Sequence, residues 1–239
     1  MLRKRFNAVE LKIMKKSLSV TLTVIILSFL FDSCSNPTNP KFISEGIIEY
    51  KATPVDPDNS MAALAPSKMT VKFKDNFTEA EMTAGMGLFS TSFISDPGKK
   101  QFINLVKLIN QKFALVIAGD SVKKDVDADP KPIIEKTSET KVIAGYTCKR
   151  ARISYADKSI PGFDIWYTKE LNIENPNWSN PFHDIDGVLL EYQLKRYGLE
   201  LRFTCTSVSK ASIDESLFQL PSDYKLINKR EMDKKFEGF

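Results

Sequence analysis

Alternating apolar and polar residues dominate the chain after residue 45, and this period of two is typical of half-buried β strands. Within residues 68–73, Met69, Val71 and Phe73 lie on one face of such a strand. The same pattern, or a short apolar run, predicts strands over 46–51, 102–109, 113–118, 141–155, 163–168, 188–193, 199–208 and 218–220. The polar residues 110–112 between two apolar runs predict a hairpin, with a helix over 102–109 as the alternative.

Turn signals separate these segments, and helical patterns are few. Asp96-Pro97-Gly98, Pro161-Gly162 and Asp186-Gly187 are each typical of a chain reversal. Helical spacing occurs over 79–86 and again over 228–236. Many short strands with few helices predict a β-rich α+β fold, built as one large curved antiparallel sheet or as a sandwich.

The N-terminal region has the pattern of a bacterial lipoprotein signal. Lys15-Lys16 precedes an apolar run over 18–31, and Ser33-Cys34 follows Asp32. The run is shorter than the roughly 20 apolar residues of a spanning helix. We therefore predict cleavage before Cys34 and acylation of that cysteine. A plain secreted protein and a retained anchor are the alternatives, and Met14 is a candidate true start.

This interpretation divides the chain into four parts and changes its charge. Residues 1–33 form the signal peptide, 34–44 the lipidated cysteine with a flexible tether, 45–227 one β-rich domain, and 228–239 a charged C-terminal tail. Residues 1–33 hold six of the 34 basic and two of the 30 acidic residues, so the remainder carries 28 of each. A neutral, evenly charged domain gives no reason to expect nucleic acid as a partner.

Four stretches in a fixed order carry a resemblance to known families. They are 141–151 (KVIAGYTCKRA), 163–168 (FDIWYT), 186–192 (DGVLLEY) and 218–224 (FQLPSDY). Their order, with the opening 46–50 (GIIEY), resembles envelope lipoprotein families of Bacteroidota, including domains of unknown function and relatives named for a GLPGLI motif. That motif is not intact at 183–188 (HDIDGV). The layout is also similar to LolA/LolB-like lipoprotein carriers, which implies an open half-barrel with few helices.

Residues with obvious chemistry are scarce. His183 is the only histidine, and no Gly-rich phosphate loop is present. Asp125, Asp127 and Asp129 alternate as in a calcium loop, but Pro130 and Lys136 occupy the positions that require Gly and Glu. We therefore expect no metal, no cofactor and no enzymatic activity.

Cys148 and Cys205 each lie within a predicted strand. In an oxidising envelope an even pair of cysteines suggests a disulfide. Alternation places Cys205 on the same face as Leu201 and Phe203, which is expected to be buried. The alternative is two separate buried thiols that pack as small apolar groups.

Apolar and methionine side chains cluster in the first half of the domain. A carrier-like half-barrel needs an apolar concave face, and methionine adapts to varied ligands. The candidate groove residues are Met82, Met86, Phe89, Phe93 and Leu105. The same side chains would form an ordinary core in another β-sheet protein.

Together these features predict a non-enzymatic lipoprotein on the outer membrane that faces the periplasm. Its partners would be the membrane, through the lipid anchor, and a lipid or acyl chain in the groove. The alternative is an envelope interaction or assembly protein with a protein partner and without a small-molecule ligand.

Overall fold

A computed structural model describes residues 42–126, 130–196 and 198–236, which contain twelve β strands and two α helices. The strands are β1 (Glu45–Pro54), β2 (Lys68–Lys74), β3 (Phe77–Ala84), β4 (Phe89–Asp96), β5 (Gln101–Leu108), β6 (Gln111–Ala118), β7 (Ile133–Ile143), β8 (Tyr146–Ser154), β9 (Phe163–Thr168), β10 (Val188–Arg196), β11 (Leu199–Lys210) and β12 (Lys225–Leu226). The helices are α1 (Asp120–Val126) and α2 (Lys229–Phe236), and short 3-10 turns cover Ala62–Leu64, Gly85–Gly87 and Glu215–Phe218.

The twelve described strands form one open sheet in the order β12-β6-β5-β4-β3-β2-β1-β11-β10-β9-β8-β7. All neighbours are antiparallel except β12 and β6. At the centre, β1 pairs with β11, so that Gly46 lies opposite Lys210. Phe102 of β5 and Leu194 of β10 line one cavity although five strands lie between β5 and β10 in the sheet. The sheet is therefore strongly curved, and the expectation of a β-rich open sheet with few helices is confirmed.

The largest core cluster lies at the middle of this sheet. Alternation along β1 buries Ile48 and Tyr50, and the pairing with β2 places Met69 opposite Tyr50. Phe73 of β2 and Phe203 of β11 belong to the same cluster. Burial of apolar surface contributes roughly 25 cal/mol per Å2, so these large side chains hold the central strands together.

The long connection between β9 and β10, residues 169–187, folds back against the sheet. Buried Asn177 fixes its course, because its Nδ2 donates to the carbonyls of Ile185 and Gly187 at 2.7 and 2.9 Å. The neighbouring Trp178 donates from Nε1 to Ser95 Oγ on β4 at 2.7 Å. The Asn177 amide thus joins two parts of residues 169–187, which we call the covering loop, and the Trp178 indole attaches this loop to the sheet.

The C-terminal segment covers both faces of the sheet at its β6 edge. Ile213 and Phe218 pack with Leu105, whereas Met232 of α2 packs with Val106. Because consecutive strand residues point to opposite faces, the segment reaches both sides of β5. Between these two contacts, β12 pairs with β6 and covers the edge strand.

Several sequence-based predictions hold and others are wrong. The hairpin over 102–118 is confirmed as β5 and β6, and the helical pattern over 228–236 forms α2. The predicted helix over 79–86 is wrong, since these residues form most of β3 and the turn after it. The predicted strand over 218–220 is wrong as well, since Phe218 ends a 3-10 turn. No helix among the described residues is both long and apolar enough to cross a bilayer.

Replacing Gly187 by alanine should destabilise the fold. A Cβ atom there would lie 2.7 Å from the Thr168 carbonyl oxygen and 2.8 Å from Tyr167 Cδ2. We expect a loss of about 1–3 kcal/mol in the free energy of unfolding, as for other overpacked sites. Urea titration measures it, and Gly98→Ala is the control because its Cβ would meet its nearest atom at 3.4 Å. Equal stability of the two variants would contradict the assignment.

Asn177→Ala should also destabilise the protein, by removing both hydrogen bonds that shape the covering loop. The two carbonyls left without a side-chain donor lie in a buried setting, and each unsatisfied group costs about 1–3 kcal/mol. Thermal unfolding of Asn177→Ala is compared with that of Asn172→Ala, whose side chain is exposed. A melting temperature equal to that of the Asn172 variant would show that the loop does not depend on Asn177.

Candidate functional site

Two neighbouring cavities open on the concave side of the sheet. The interior cavity, of about 170 Å3, lies between the central strands and the covering loop. The outer cavity, of about 470 Å3, lies where the ends of β5 and β6 approach β9, β10 and β11. Phe102, Ser179 and Leu194 line both cavities, so only a few side chains separate them.

The interior cavity has a rigid and largely apolar wall. Tyr50 donates its hydroxyl proton to the Leu189 carbonyl at 2.8 Å. Its ring meets Tyr192 edge-on at 6.1 Å, and Tyr192 stacks on Phe203 at 5.1 Å. Burial raises the pKa of both phenols above the ordinary value, so both remain neutral near neutral pH. This cavity resembles an incompletely filled core more than a reactive site.

The five predicted groove residues lie in four different places. Met82 and Phe93 line the interior cavity. Phe89 packs near Met232 of α2, and Leu105 is buried with the C-terminal segment on the opposite face. Met86 is fully exposed at the tip of the turn between β3 and β4. The structure therefore brings only two of the five together, and the proposal of one shared groove is not supported by their positions.

The outer cavity is built from aromatic rings, prolines and the apolar side of α1. Its aromatic lining comes from Phe102, Tyr155, Phe163 and Phe182. Val122 and Val126 of α1 close one side, and four prolines contribute to the rim: Pro130, Pro132, Pro161 and Pro181. Phe163 and Phe182 meet edge-to-face at 6.0 Å, which fixes the orientation of both rings.

The lining of the outer cavity also includes polar residues of β10 and β11. Gln193, Lys195 and Glu200 line the outer cavity. In the amide orientation that satisfies both neighbours, Gln193 donates to Glu200 Oε1 at 3.3 Å and accepts from Arg202 Nη2 at 2.7 Å. Burial, and then the Glu200 carboxylate, raise the pKa of Tyr155, which lines the same cavity.

Size and composition favour the outer cavity as the candidate site. Pockets that bind small molecules usually measure about 300–1,000 Å3 and combine apolar walls with a few polar groups. The outer cavity satisfies both conditions, whereas the interior cavity is smaller than this range. We therefore treat the outer cavity as the candidate functional site.

Other reactive groups of the described chain offer less. His183 is exposed, with Nε2 3.7 Å from Asp184 Oδ1. Across residues 42–126, 130–196 and 198–236, no three His, Cys, Asp or Glu side chains converge as a metal ion would require. A further cavity, of about 510 Å3, is lined largely by charged and polar side chains, among them Lys74, Asp96 and Glu215, and so lacks the predominantly apolar wall of the outer cavity.

Cys148 and Cys205 are free thiols, buried in one core cluster. Burial raises the pKa of each thiol to about 12, so neither is a thiolate near neutral pH. The structure shows the alternative, two separate buried thiols, and not the predicted disulfide between them. The predicted lipidation site, Cys34, lies outside the described residues together with the signal peptide and most of the tether. Lipidation and the outer-membrane location therefore stay predictions.

Sequence reasoning missed the outer cavity entirely. Its aromatic and polar residues come from separate strands and loops between Phe102 and Glu200, so no short motif contains them. The sequence does contain the four prolines of this cavity, at 130, 132, 161 and 181. They lie in separate segments, so that they line one cavity becomes visible only in the fold.

Comparison with known proteins gives one family match. Residues 55–179, more than half of the chain, match the family model described as "N-glycanase peptide, N-terminal domain". No curated protein sequence matches the chain. A solved structure titled "Structure of PNGF-II in C2 space group" has a TM-score of 0.49 and 16% sequence identity, over 81% of this chain and 32% of that chain. The chain thus spans about a third of the length of that protein.

The family match overturns the resemblance to envelope lipoprotein families and to lipoprotein carriers. The first of the four stretches that carried it, 141–151, contains at Ala144 and Gly145 the hairpin turn between β7 and β8. Both residues have positive φ, 49° and 84°, as the commonest two-residue hairpin turns require. Such a turn recurs in unrelated antiparallel sheets, so its sequence identifies a hairpin and not a family.

The predicted non-enzymatic role, with a lipid ligand or an assembly function, is corrected by the same match, because the family is named for an enzyme. That prediction depended on missing His, Cys and Gly-rich motifs. Carboxylates also serve as general acids and bases, and a single sequence does not reveal which of them meet. From the extent of the match over residues 55–179, this chain belongs to the family of N-glycanase N-terminal domains.

Proposed function

We propose that this protein takes part in the release of N-linked glycans from glycoproteins, and that its outer cavity binds the glycosylated substrate. The observation that carries the proposal is the family match over residues 55–179. The matched region runs from the end of β1 into the covering loop, and it contributes Val55, Phe102, Tyr155 and Phe163 to the outer cavity.

The substrate of an N-glycanase has two chemically different parts, a carbohydrate and a polypeptide. Sugar rings present apolar C–H faces, which suit aromatic side chains, and hydroxyl groups, which need hydrogen-bond partners. The outer cavity offers both kinds of surface, because half-buried Phe163 lies in the same cavity as Gln193 and Glu200. An apolar pocket with a few fixed polar groups is the usual design of a specific ligand site.

Hydrolysis of the bond between glycan and asparagine needs proton transfer by groups within hydrogen-bond reach of the reacting atoms. Two titratable residues, Tyr155 and Glu200, line the outer cavity. The Tyr155 phenol is protonated near neutral pH, as any phenol is, and burial raises its pKa further, so it is available as a hydrogen-bond donor. Both residues carry groups that hydrogen-bond to a polar substrate group, and we assign no catalytic step to either.

The full-length protein should distinguish a glycoprotein from its own deglycosylated form. We expect at least about tenfold tighter binding to the glycosylated form, equivalent to roughly 1.4 kcal/mol. Isothermal titration with one glycoprotein before and after chemical removal of its N-glycan measures the difference. Mass spectrometry of the incubated glycoprotein reports any released glycan.

A matched control keeps this comparison specific. The same titration is repeated with the glycoprotein in the presence of excess free glycan, which should compete for binding. Equal affinity for the glycosylated and deglycosylated forms, without released glycan, would refute the proposed function.

A further inference from the structure

We propose that β7 forms a dimer interface, at which it pairs antiparallel with β7 of a second copy of this chain. β7 lines neither the interior cavity nor the outer cavity, so this contact goes beyond the proposed function and does not depend on it. Three observations support it: an edge without a strand partner, a self-complementary sequence, and a bulge at the centre of symmetry.

β7 has a long edge that is open to another strand. It is the last strand in the sheet order and runs over eleven residues, Ile133–Ile143. At the other end of the sheet β12 pairs with β6, whereas no described strand pairs with the outer edge of β7. The backbone N–H and C=O groups of such an edge are a template for a further strand. Two apolar side chains on it are exposed, Ile133 at 52% and Val142 at 69%.

The sequence of β7, IIEKTSETKVI, is nearly symmetric in chemistry about its middle residue, Ser138. When two copies are aligned antiparallel on Ser138, apolar residues meet apolar residues, and Glu135 meets Lys141 of the second copy. Opposite charges directly across from each other stabilise antiparallel strands. The aligned pairs, each formed twice, are Ile133–Ile143, Ile134–Val142, Glu135–Lys141, Lys136–Thr140 and Thr137–Glu139.

Neighbouring alignments are unfavourable, so the sequence specifies this register. The two-fold axis of a symmetric antiparallel pair is perpendicular to the sheet, and each face of one copy therefore continues into the same face of the other. Because side chains alternate between faces, the alignment can shift only in steps of two residues. One such shift places Glu135 opposite Glu139, and the other places Glu139 opposite its own counterpart. Like charges directly opposite each other are destabilising.

The bulge of β7 lies at the same centre of symmetry. The register with β8 shifts between Lys136 and Thr140, which places the irregularity at residues 137–139. A bulge bends its strand and increases the local twist, and at an edge it usually discourages pairing. Here the bend falls on the two-fold axis in both copies, so that residues 133–136 of one copy stay aligned with 140–143 of the other.

The charged pair has room to form across this interface. The Glu135 side chain is 64% exposed, with Arg152 Nη1 3.0 Å from its Oε2. Lys141 Nζ lies 2.6 Å from Glu191 Oε2, and an ammonium group has three donors, so it can also bind the carboxylate of a second copy. Arg152 and Glu135 of one copy would then continue into Lys141 and Glu191 of the other as a row of alternating charges.

The first test measures association of the full-length protein by sedimentation velocity between about 1 and 300 µM, because an interface this small is expected to be weak. Val142→Lys should weaken the dimer at least about tenfold, since it puts a charge into an apolar pair at both ends of the interface. Thr147→Lys is the matched control. Thr147 is exposed and pairs with Val142, but it lies on β8, one strand away from the edge.

The second test uses engineered cysteines to check the register. Ser138→Cys should give a covalent dimer under mild oxidation, because residues directly opposite each other have Cβ atoms about 4.5–5.5 Å apart, close to disulfide distance. Thr140→Cys should not, since it would lie about 14 Å from its counterpart, four residues further along the strand. The wild-type protein gives the background from Cys34, Cys148 and Cys205.

Three results would refute the proposal. They are a protein that stays monomeric at every concentration, a dimer that Val142→Lys does not weaken, and equal cross-linking of the two cysteine variants. Release of N-glycan by a monomeric protein would refute the dimer while the proposed function stands. Circular dichroism shows whether each variant is folded, and the cross-linking decides if Val142→Lys is not.

Discussion

The covering of a single curved sheet is the constraint on which the rest of this structure depends. A sheet twelve strands wide has two faces, and apolar side chains on each must be removed from water. In the part of the chain that the structure describes, loops and the C-terminal segment supply this cover. The covering loop depends in turn on one buried amide, Asn177, whose hydrogen bonds replace the regular pairing that a strand would have had. Both cavities lie where this irregular cover meets the sheet.

Where alternation was strong, the sequence predicted the fold well. β2 and the β5–β6 hairpin follow directly from period-two patterns, because one face of each strand is buried. The sequence of β3 predicts a helix because its residues 79–82 (EAEM) all have good helix propensity. In the fold, pairing with β2 and β4 on both sides overrides that preference. The apolar residues at 218–220 also predict a strand, but so short a segment between turns shows no periodic pattern that would distinguish a strand from a 3-10 turn.

The candidate site was beyond what the sequence could predict, for a geometric reason. Phe102 of β5 and Leu194 of β10 come together only because the sheet curves, and curvature has no local signature along the chain. The predicted groove failed in a related way. Met82 and Phe93 lie on the same face of the sheet through the β3–β4 pairing. Phe93 pairs with Asn104, so the next residue, Leu105, points to the other face. Register therefore decided which apolar residues meet, and composition alone could not.

The pairing of β1 with β11 has a consequence for how this protein reaches its native state. Gly46 and Lys210 are neighbours in the sheet but lie at opposite ends of the domain sequence. The entropy lost in closing so long a loop must be offset before the central strands can pair. Folding rates fall as contacts become more distant in sequence, so this domain should fold slowly for its size. On the ribosome, β1 is synthesised before its partner and waits until β11 has been made, with an unpaired edge open to other chains in the meantime.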